Sequence, residues 1–266
     1  MRLVTWNINS VTARLERLLP WIEQAQPDVL ALQELKCTEQ AYPSALADLG
    51  YESVVHATGR WNGVALASRV GLAEPRVGLP DQPQFDGAIE PRAVAATCDG
   101  VRVWSVYVPN GREPSHDHYT YKLQWLDCLA QTCEAELAAA PDRPFAVIGD
   151  FNIAPTDADV WDISLFAEST HVTPAERTRL QALLDLGLQD LQPRSLKGAP
   201  FTFWDYRNGA FHRGWGMRID LVLANAAFIR QATDCYIDRE ARKGKGASDH
   251  APVVVDLKTA GMAGVA

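Results

Sequence analysis

The sequence predicts an α/β chain built from two packed β-sheets with helices outside. Three observations carry that expectation. Many short strand-like apolar runs follow one another with few helical periods between them, which does not fit a doubly wound parallel sheet. Two segments, 3–8 and 147–153, share one pattern, a strand followed by a polar group and then Asn-Ile. The chain has 266 residues, 47% of them hydrophobic and 22% charged, enough to bury a sizeable core without a disulfide or metal staple. We therefore expect one domain over 1–258, with pseudo-duplicated halves 1–140 and 141–258, and a frayed tail at 259–266.

Residues 3–6 read as a strand ending at Asn7. Val11, Leu15, Leu18, Leu19 and Ile22 follow at helical spacing, closed by Pro27. Residues 28–32 form a second strand ending at Gln33-Glu34, and runs at 54–55, 64–67, 92–97 and 101–108 read as further strands. Leu123, Leu126, Leu129, Cys133 and Leu137 mark a long helix, stopped by Pro141 and Pro144. A buried-type strand at 145–149 ends at Asp150. Thr173-Pro174-Ala175-Glu176 is a capping box with proline at the first helical position, opening a helix through Leu184. Strand-like runs at 200–204, 218–223, 233–237 and 252–257 complete the pattern.

The N-terminal residues contain no apolar stretch of signal-peptide type, and no run approaches the ~18 apolar residues of a membrane span. Five cysteines, odd in number and without a CxxC pair, read as reduced thiols of a cytoplasmic protein. The net charge is −8, a mild argument against a polyanionic partner. The distribution says otherwise. Residues 1–170 carry 12 Lys/Arg and 23 Asp/Glu, whereas residues 171–246 carry 12 and 8.

Polar residues fall at the ends of the apolar runs: Asn7, Glu34, Tyr107, Asp150, Asn152, Asp220 and the pair Asp249-His250. Each alone has an ordinary explanation, such as turn chemistry for the asparagines or a solvated carboxylate for Glu34. Together they combine carboxylate, carboxamide, phenol and imidazole at strand ends, where two sheets can converge them on one rim. Hard oxygen ligands without thiolates suit Mg²⁺ or Mn²⁺. A metal as Lewis acid, a carboxylate to align or deprotonate water and donors for a pentacoordinate phosphorus make a phosphoester hydrolysis set.

The segments Trp6-Asn7-Ile8-Asn9, Leu32-Gln33-Glu34-Leu35-Lys36, Val106-Tyr107-Val108-Pro109-Asn110-Gly111, Gly149-Asp150-Phe151-Asn152-Ile153-Ala154-Pro155, Arg218-Ile219-Asp220 and Ser248-Asp249-His250-Ala251-Pro252 carry a resemblance. In order and spacing they resemble the exonuclease III family of apurinic/apyrimidinic (AP) endonucleases, within the endonuclease/exonuclease/phosphatase superfamily. The resemblance runs from residue 3 to about 257.

It implies a four-layer α/β sandwich of two mixed sheets flanked by helices. It also implies Mg²⁺, with Mn²⁺ as a substitute, held chiefly by Glu34, with Asn7, Asp150, Asn152 and Asp249 as further ligands. Asp150 would align and deprotonate water; the alternative base is His250, oriented by Asp220. Tyr107 would bond the phosphate or assist the leaving group, and Asn152 would stabilise the transition state. The implied activity is cleavage of the DNA backbone 5′ to abasic sites, with 3′-phosphodiesterase and 3′-to-5′ duplex exonuclease action. The implied partner is double-stranded DNA with abasic or 3′-blocked sites, bound by a monomer with no membrane role.

Phe201-Thr202-Phe203-Trp204 and Gly214-Trp215-Gly216-Met217 match the aromatic segments that line the abasic-sugar pocket. We expect Phe203 and Trp215 in the pocket and Trp204 in the core, since alternation turns one of two neighbours inward. Trp215 lies five residues before Asp220, a longer interval than in some members, and Phe203 stands where some have tryptophan. Asn110, Arg112, Lys122, Arg213, Arg242, Lys243 and Lys245 are candidates for DNA contacts. His116-Asp117-His118 reads as a loop rather than a metal site. The alternative functions are a superfamily phosphodiesterase acting on RNA or an inositol phosphate, and an inactive DNA-binding module.

Overall fold

A computed structural model of the chain describes residues 1–258; the expected frayed tail at 259–266 lies outside them. Thirteen strands form among these residues: β1 Arg2–Asn7, β2 Val29–Gln33, β3 Glu52–His56, β4 Val64–Ser68, β5 Ala73–Val77, β6 Ala93–Cys98, β7 Val101–Tyr107, β8 Phe145–Asp150, β9 Gln189–Asp190, β10 Arg194–Ser195, β11 Asp220–Ala224, β12 Ala232–Ile237 and β13 Val253–Leu257. They make a seven-stranded sheet, in the order β10-β12-β13-β1-β2-β4-β3, and a six-stranded sheet, in the order β5-β6-β7-β8-β11-β9. Both sheets are mixed, and each draws strands from residues 1–140 and from residues 141–258.

The layers follow from strand periodicity. Along β1, Leu3 faces the second sheet while Val4 and Trp6 face the helix Leu15–Ala25. Along β8, Ala146 and Ile148 face the first sheet while Phe145 and Val147 pack under the helices Asp117–Ala139 and Pro174–Asp185. Three apolar cores therefore separate four layers, as expected.

Register brings the strand ends to one rim. In the parallel pair β1–β2, Asn7 lies opposite Gln33, the residue before Glu34. In the parallel pair β7–β8, Tyr107 lies opposite Asp150, and in the antiparallel pair β8–β11 Asp150 lies opposite Asp220. Gly149 makes the β7–β8 approach possible. Its φ is +147°, and a Cβ there would sit 1.9 Å from the Val106 carbonyl oxygen.

Three expectations are corrected. Residues 200–204 are not a strand; Phe203 makes only isolated bridges to Met217 and His250. Pro200 has no N–H to donate, and this segment spans the ends of two sheets rather than lengthening either. Arg218 precedes β11 instead of opening it, and is buried between Asp159 and Asp190. Strand β5 was not expected, because all five of its residues are exposed and show no alternation.

The fourth correction concerns Lys122. Its side chain is wholly buried in an ion pair with Glu176, and Nζ also donates to the Asn152 carbonyl at 2.7 Å. It cannot reach a DNA phosphate. Burial pushes the Glu176 carboxyl up, but Lys122 and the Thr170 hydroxyl outweigh it and hold it at about 2. Lys122→Met should cost about 3–5 kcal/mol in denaturant unfolding, because Glu176 is left buried and uncompensated, and Lys122→Met/Glu176→Gln should recover most of it. The Glu176 contribution is present above its unfolded value of 4.5 and is lost as pH falls toward 2. The double variant should lose that part of the acid dependence; an unchanged acid profile would contradict the assignment.

Candidate active site

Asn7 ends β1 fully buried, and its Nδ2 donates to Glu34 Oε1 at 2.9 Å and to Asp150 Oδ2 at 2.8 Å. One carboxamide thus joins a carboxylate beside the first sheet to one at the end of the second. Glu34 adopts a left-handed backbone (φ 53°) as the chain leaves β2, where Leu35 N–H bonds the Gly63 carbonyl. Tyr107 OH donates to Glu34 Oε1 at 2.9 Å, and Lys36 Nζ lies 2.6 Å from Oε2. Burial raises the Glu34 carboxyl, but Lys36 and Asn7 outweigh it and leave it below the usual range. Burial and the charge of Glu34 push the Tyr107 phenol well up, so it stays a proton donor.

Asp249 joins this side through Asn9, whose Nδ2 donates to Asp249 Oδ1 at 2.9 Å and whose Oδ1 accepts from Lys36 Nζ at 2.6 Å. Ser248 Oγ donates to the Asn7 carbonyl at 2.7 Å, and Trp6 Nε1 donates to the His250 carbonyl at 3.1 Å. These bonds tie the loop before β13 to the end of β1.

His250 Nδ1 meets Asp220 Oδ2 at 2.8 Å, and its Nε2 lies 3.8 Å from Asp150 Oδ2. Burial opposes the charged ring, but Asp220 and Asp150 overcome it and push the imidazole up to about 10. The two carboxylates thus favour the charged ring. Asp150 moves up to about 7 through burial and the charges of Asp220 and Glu34, against His250 and Asn7. Asp220 Oδ1 is buried without a hydrogen-bond partner.

Asn152 sits in a left-handed turn (φ 50°) after β8. Its N–H donates to Asp150 Oδ1 at 2.9 Å, its Nδ2 donates to the Val108 carbonyl at 3.0 Å, and its Oδ1 accepts from Asn110 at 3.2 Å. His171 Nδ1 donates to its carbonyl at 2.7 Å. Sequence reasoning missed His171, Lys36, Asn9 and Trp161. Lys36 and Asn9 lie inside quoted segments and could have been found by their proximity to Glu34 and Asn7. His171 and Trp161 carry no local signal.

Glu34 and Asp150 present carboxylate oxygens on either side of the Asn7 amide, with Asn152 beside them, at the meeting point of the two sheets. Two carboxylates share one amide donor there, and one of them is driven toward protonation, which a hard divalent cation would reverse. The donor set fits Mg²⁺ or Mn²⁺. Among the described residues, no group of three His, Cys, Asp or Glu side chains forms a cluster that could hold a metal, so carboxamide, water and substrate oxygens would complete the shell.

Beside His250 lies a cavity of about 350 Å³ whose wall combines Trp161, Phe166, Phe203, Trp215 and Met217 with the polar side chains of Asp205, Arg207 and Asn208. The Phe203 ring lies 4.9 Å from the imidazole. Trp161 stacks on Trp215 at 4.8 Å, and Arg213 covers Trp215 at 4.5 Å. Trp204 is buried in the core, as expected. Gly216 permits this packing: a Cβ there would lie 2.5 Å from Trp204 Nε1. Asn110 and Arg112 are exposed near Asn152, and Arg112 bonds His116. His116 caps the helix Asp117–Ala139, and His118 accepts from Gly111 N–H. All five cysteines are free and buried.

Residues 4–250 match the Endonuclease/Exonuclease/phosphatase family. The chain is 30% identical over 277 residues to exodeoxyribonuclease III of Haemophilus influenzae, covering 97% of this chain and all of that protein. The solved 3′-5′ exonuclease NExo of Neisseria meningitidis superposes with a TM-score of 0.90 at 37% identity, over 97% of this chain and 99% of that one. An AP endonuclease from Archaeoglobus fulgidus superposes with a TM-score of 0.89 at 31% identity, with the same coverage. By sequence match, fold and the order of its site segments, the chain belongs to the endonuclease/exonuclease/phosphatase family, in its exonuclease III and AP endonuclease branch.

Proposed function

We propose that this chain is a Mg²⁺-dependent DNA-repair nuclease that cuts the phosphodiester backbone 5′ to abasic sites, removes 3′-blocking groups and degrades duplex DNA from the 3′ end. The observation that carries the reading is the aromatic wall of Trp161, Phe203 and Trp215, whose Phe203 ring lies 4.9 Å from the His250 imidazole. A phosphate site and an aromatic surface on which a base-free sugar could rest stand side by side. A deoxyribose without a base fits against such a surface, whereas a full nucleotide must first unstack. The names of the relatives point the same way, toward exonuclease and AP endonuclease action.

The roles follow from charge state and position. Glu34 and Asp150, with Asn7, Asn152 and Asp249, would hold the metal, which when bound supplies Lewis-acid charge to the phosphoryl oxygens. His250 is held charged by Asp220, so it donates to the scissile phosphate instead of taking a proton from water. Asp150, 3.8 Å from His250 Nε2 and bonded to Asn7, is the carboxylate placed to accept the proton of the attacking water. Tyr107 keeps its proton and can give a hydrogen bond to the phosphate or the leaving oxygen. One Asn152 Nδ2–H is bound to the Val108 carbonyl, and the other can stabilise charge on the phosphoryl oxygens. Asn110 and Arg112 on the loop after β7 contact the backbone of the duplex.

Three outcomes test this. A duplex with one tetrahydrofuran abasic analogue should be incised 5′ to the lesion with Mg²⁺ and left intact with EDTA. Asp150→Asn should lower turnover by roughly 10²–10⁴-fold and leave DNA affinity nearly unchanged; near-normal turnover would remove Asp150 from the mechanism. Trp215→Ala should reduce kcat/KM on the abasic duplex by about tenfold, the scale of one lost aromatic contact. The same variant should alter 3′-to-5′ digestion of undamaged duplex much less, and equal losses on both substrates would detach the cavity from lesion recognition.

A further inference from the structure

A second concavity, of about 660 Å³, adjoins the cavity beside His250 and shares only Asp205 and Ala210 with it. Its lining carries Lys197, His212, Arg239, Arg242 and Lys243. The one carboxylate in that lining, Asp205, is already bound to Arg207 at 2.6 Å. Lys243 is paired with Glu240, whereas among the described residues Arg239, Arg242 and Lys197 form no ion pair.

Both guanidinium groups pack against the Phe211 ring. Arg239 lies 4.2 Å and Arg242 5.1 Å from the Phe211 centroid. Both are tethered to main-chain carbonyls: Arg239 Nη2 donates to Phe211 O at 3.2 Å and Arg242 Nη2 to Trp204 O at 3.1 Å. Arg242 is 7% exposed, and its buried Nε has no partner. Burial and the neighbouring Arg239 charge lower the Arg242 guanidinium from its usual value, against Tyr206 and Asp249. Each guanidinium has five N–H donors, and these bonds use one from each. Asp249 and Glu240 act on Arg242 and Arg239 without forming an ion pair with either, and a fork of guanidinium donors fits a tetrahedral oxyanion.

We propose that this concavity is a second phosphate-binding site, separate from the cleavage site, in which Arg239, Arg242 and Lys197 hold a phosphate group. The group belongs either to a DNA strand that continues past the cavity or to free phosphate. The arrangement stands whether or not the chain cleaves abasic DNA. It connects to the chemistry through Trp204, whose carbonyl accepts from Arg242 and whose N–H donates to the Asp249 carbonyl at 2.9 Å.

The test is an amide NMR titration of the full chain with orthophosphate in EDTA. Saturable shifts are expected at Gly209 and Gly244, which line the concavity. Arg239→Gln should weaken binding by about tenfold, the equivalent of one charge-assisted hydrogen bond. Lys197→Gln changes an exposed side chain and keeps the fold intact, and it should weaken binding by about threefold, in line with a looser charge contact. Absence of shifts at both glycines, or undiminished affinity in both variants with native spectra, would overturn the proposal. A second arm adds undamaged duplex. Displacement of orthophosphate from Gly244 assigns the phosphate to DNA, and simultaneous binding assigns it to the free ion. Incision plays no part in this readout, so a failure of the nuclease reading would appear only in the cleavage assay.

Discussion

The Asn7 carboxamide is the junction on which the rest of the site depends. It sits where β1 of one sheet meets β8 of the other, and its two N–H groups satisfy one carboxylate from each side. Neither carboxylate could be buried near the other without such a donor and a cation, since two like charges in a low-dielectric rim repel strongly. The parallel registers of β1–β2 and β7–β8 are the backbone expression of the same constraint, because they end all four strands at one level. Gly149 then lets β8 approach β7 at a point no side chain would allow.

Around that junction, burial sorts similar groups into different states. Glu34 stays ionised because Lys36, Asn7 and Tyr107 surround it with donors. Asp150 faces two other carboxylates and moves the opposite way. His250 takes its charge from Asp220, whose second oxygen is left unpartnered. An ionised ligand, a proton acceptor and a cationic donor thus arise within one rim. The acidic balance of residues 1–170 includes two carboxylates of this centre, Glu34 and Asp150, and the basic excess of residues 171–246 includes the arginines around Phe211.

Much of this was legible in the sequence. Polar residues at the ends of apolar runs marked the rim, because strands end where the sheet does and a site at a sheet edge uses those ends. Alternation within Phe203-Trp204 separated the cavity residue from the core residue. The failures have physical causes. Lys122, a candidate for DNA contacts by charge alone, shares helical spacing with Leu126, Leu129 and Cys133 and so belongs to the buried face. Its partner Glu176 was legible as a capping residue, but not as a counter-ion, because the ion pair forms between two helices. Trp161 and His171 lie in irregular segments that only tertiary packing brings to the site. Residues 200–204 have strand composition but lie across the ends of both sheets, where no ladder is available.

In the proposed function the two sheets bring Glu34 and Asp150 to one cation. Titration of the apo protein with Mn²⁺, followed by electron paramagnetic resonance, tests it most directly. A saturable site is expected in the wild-type chain, lost in Glu34→Gln while the native fold persists. Equal Mn²⁺ affinity in the two proteins would contradict it.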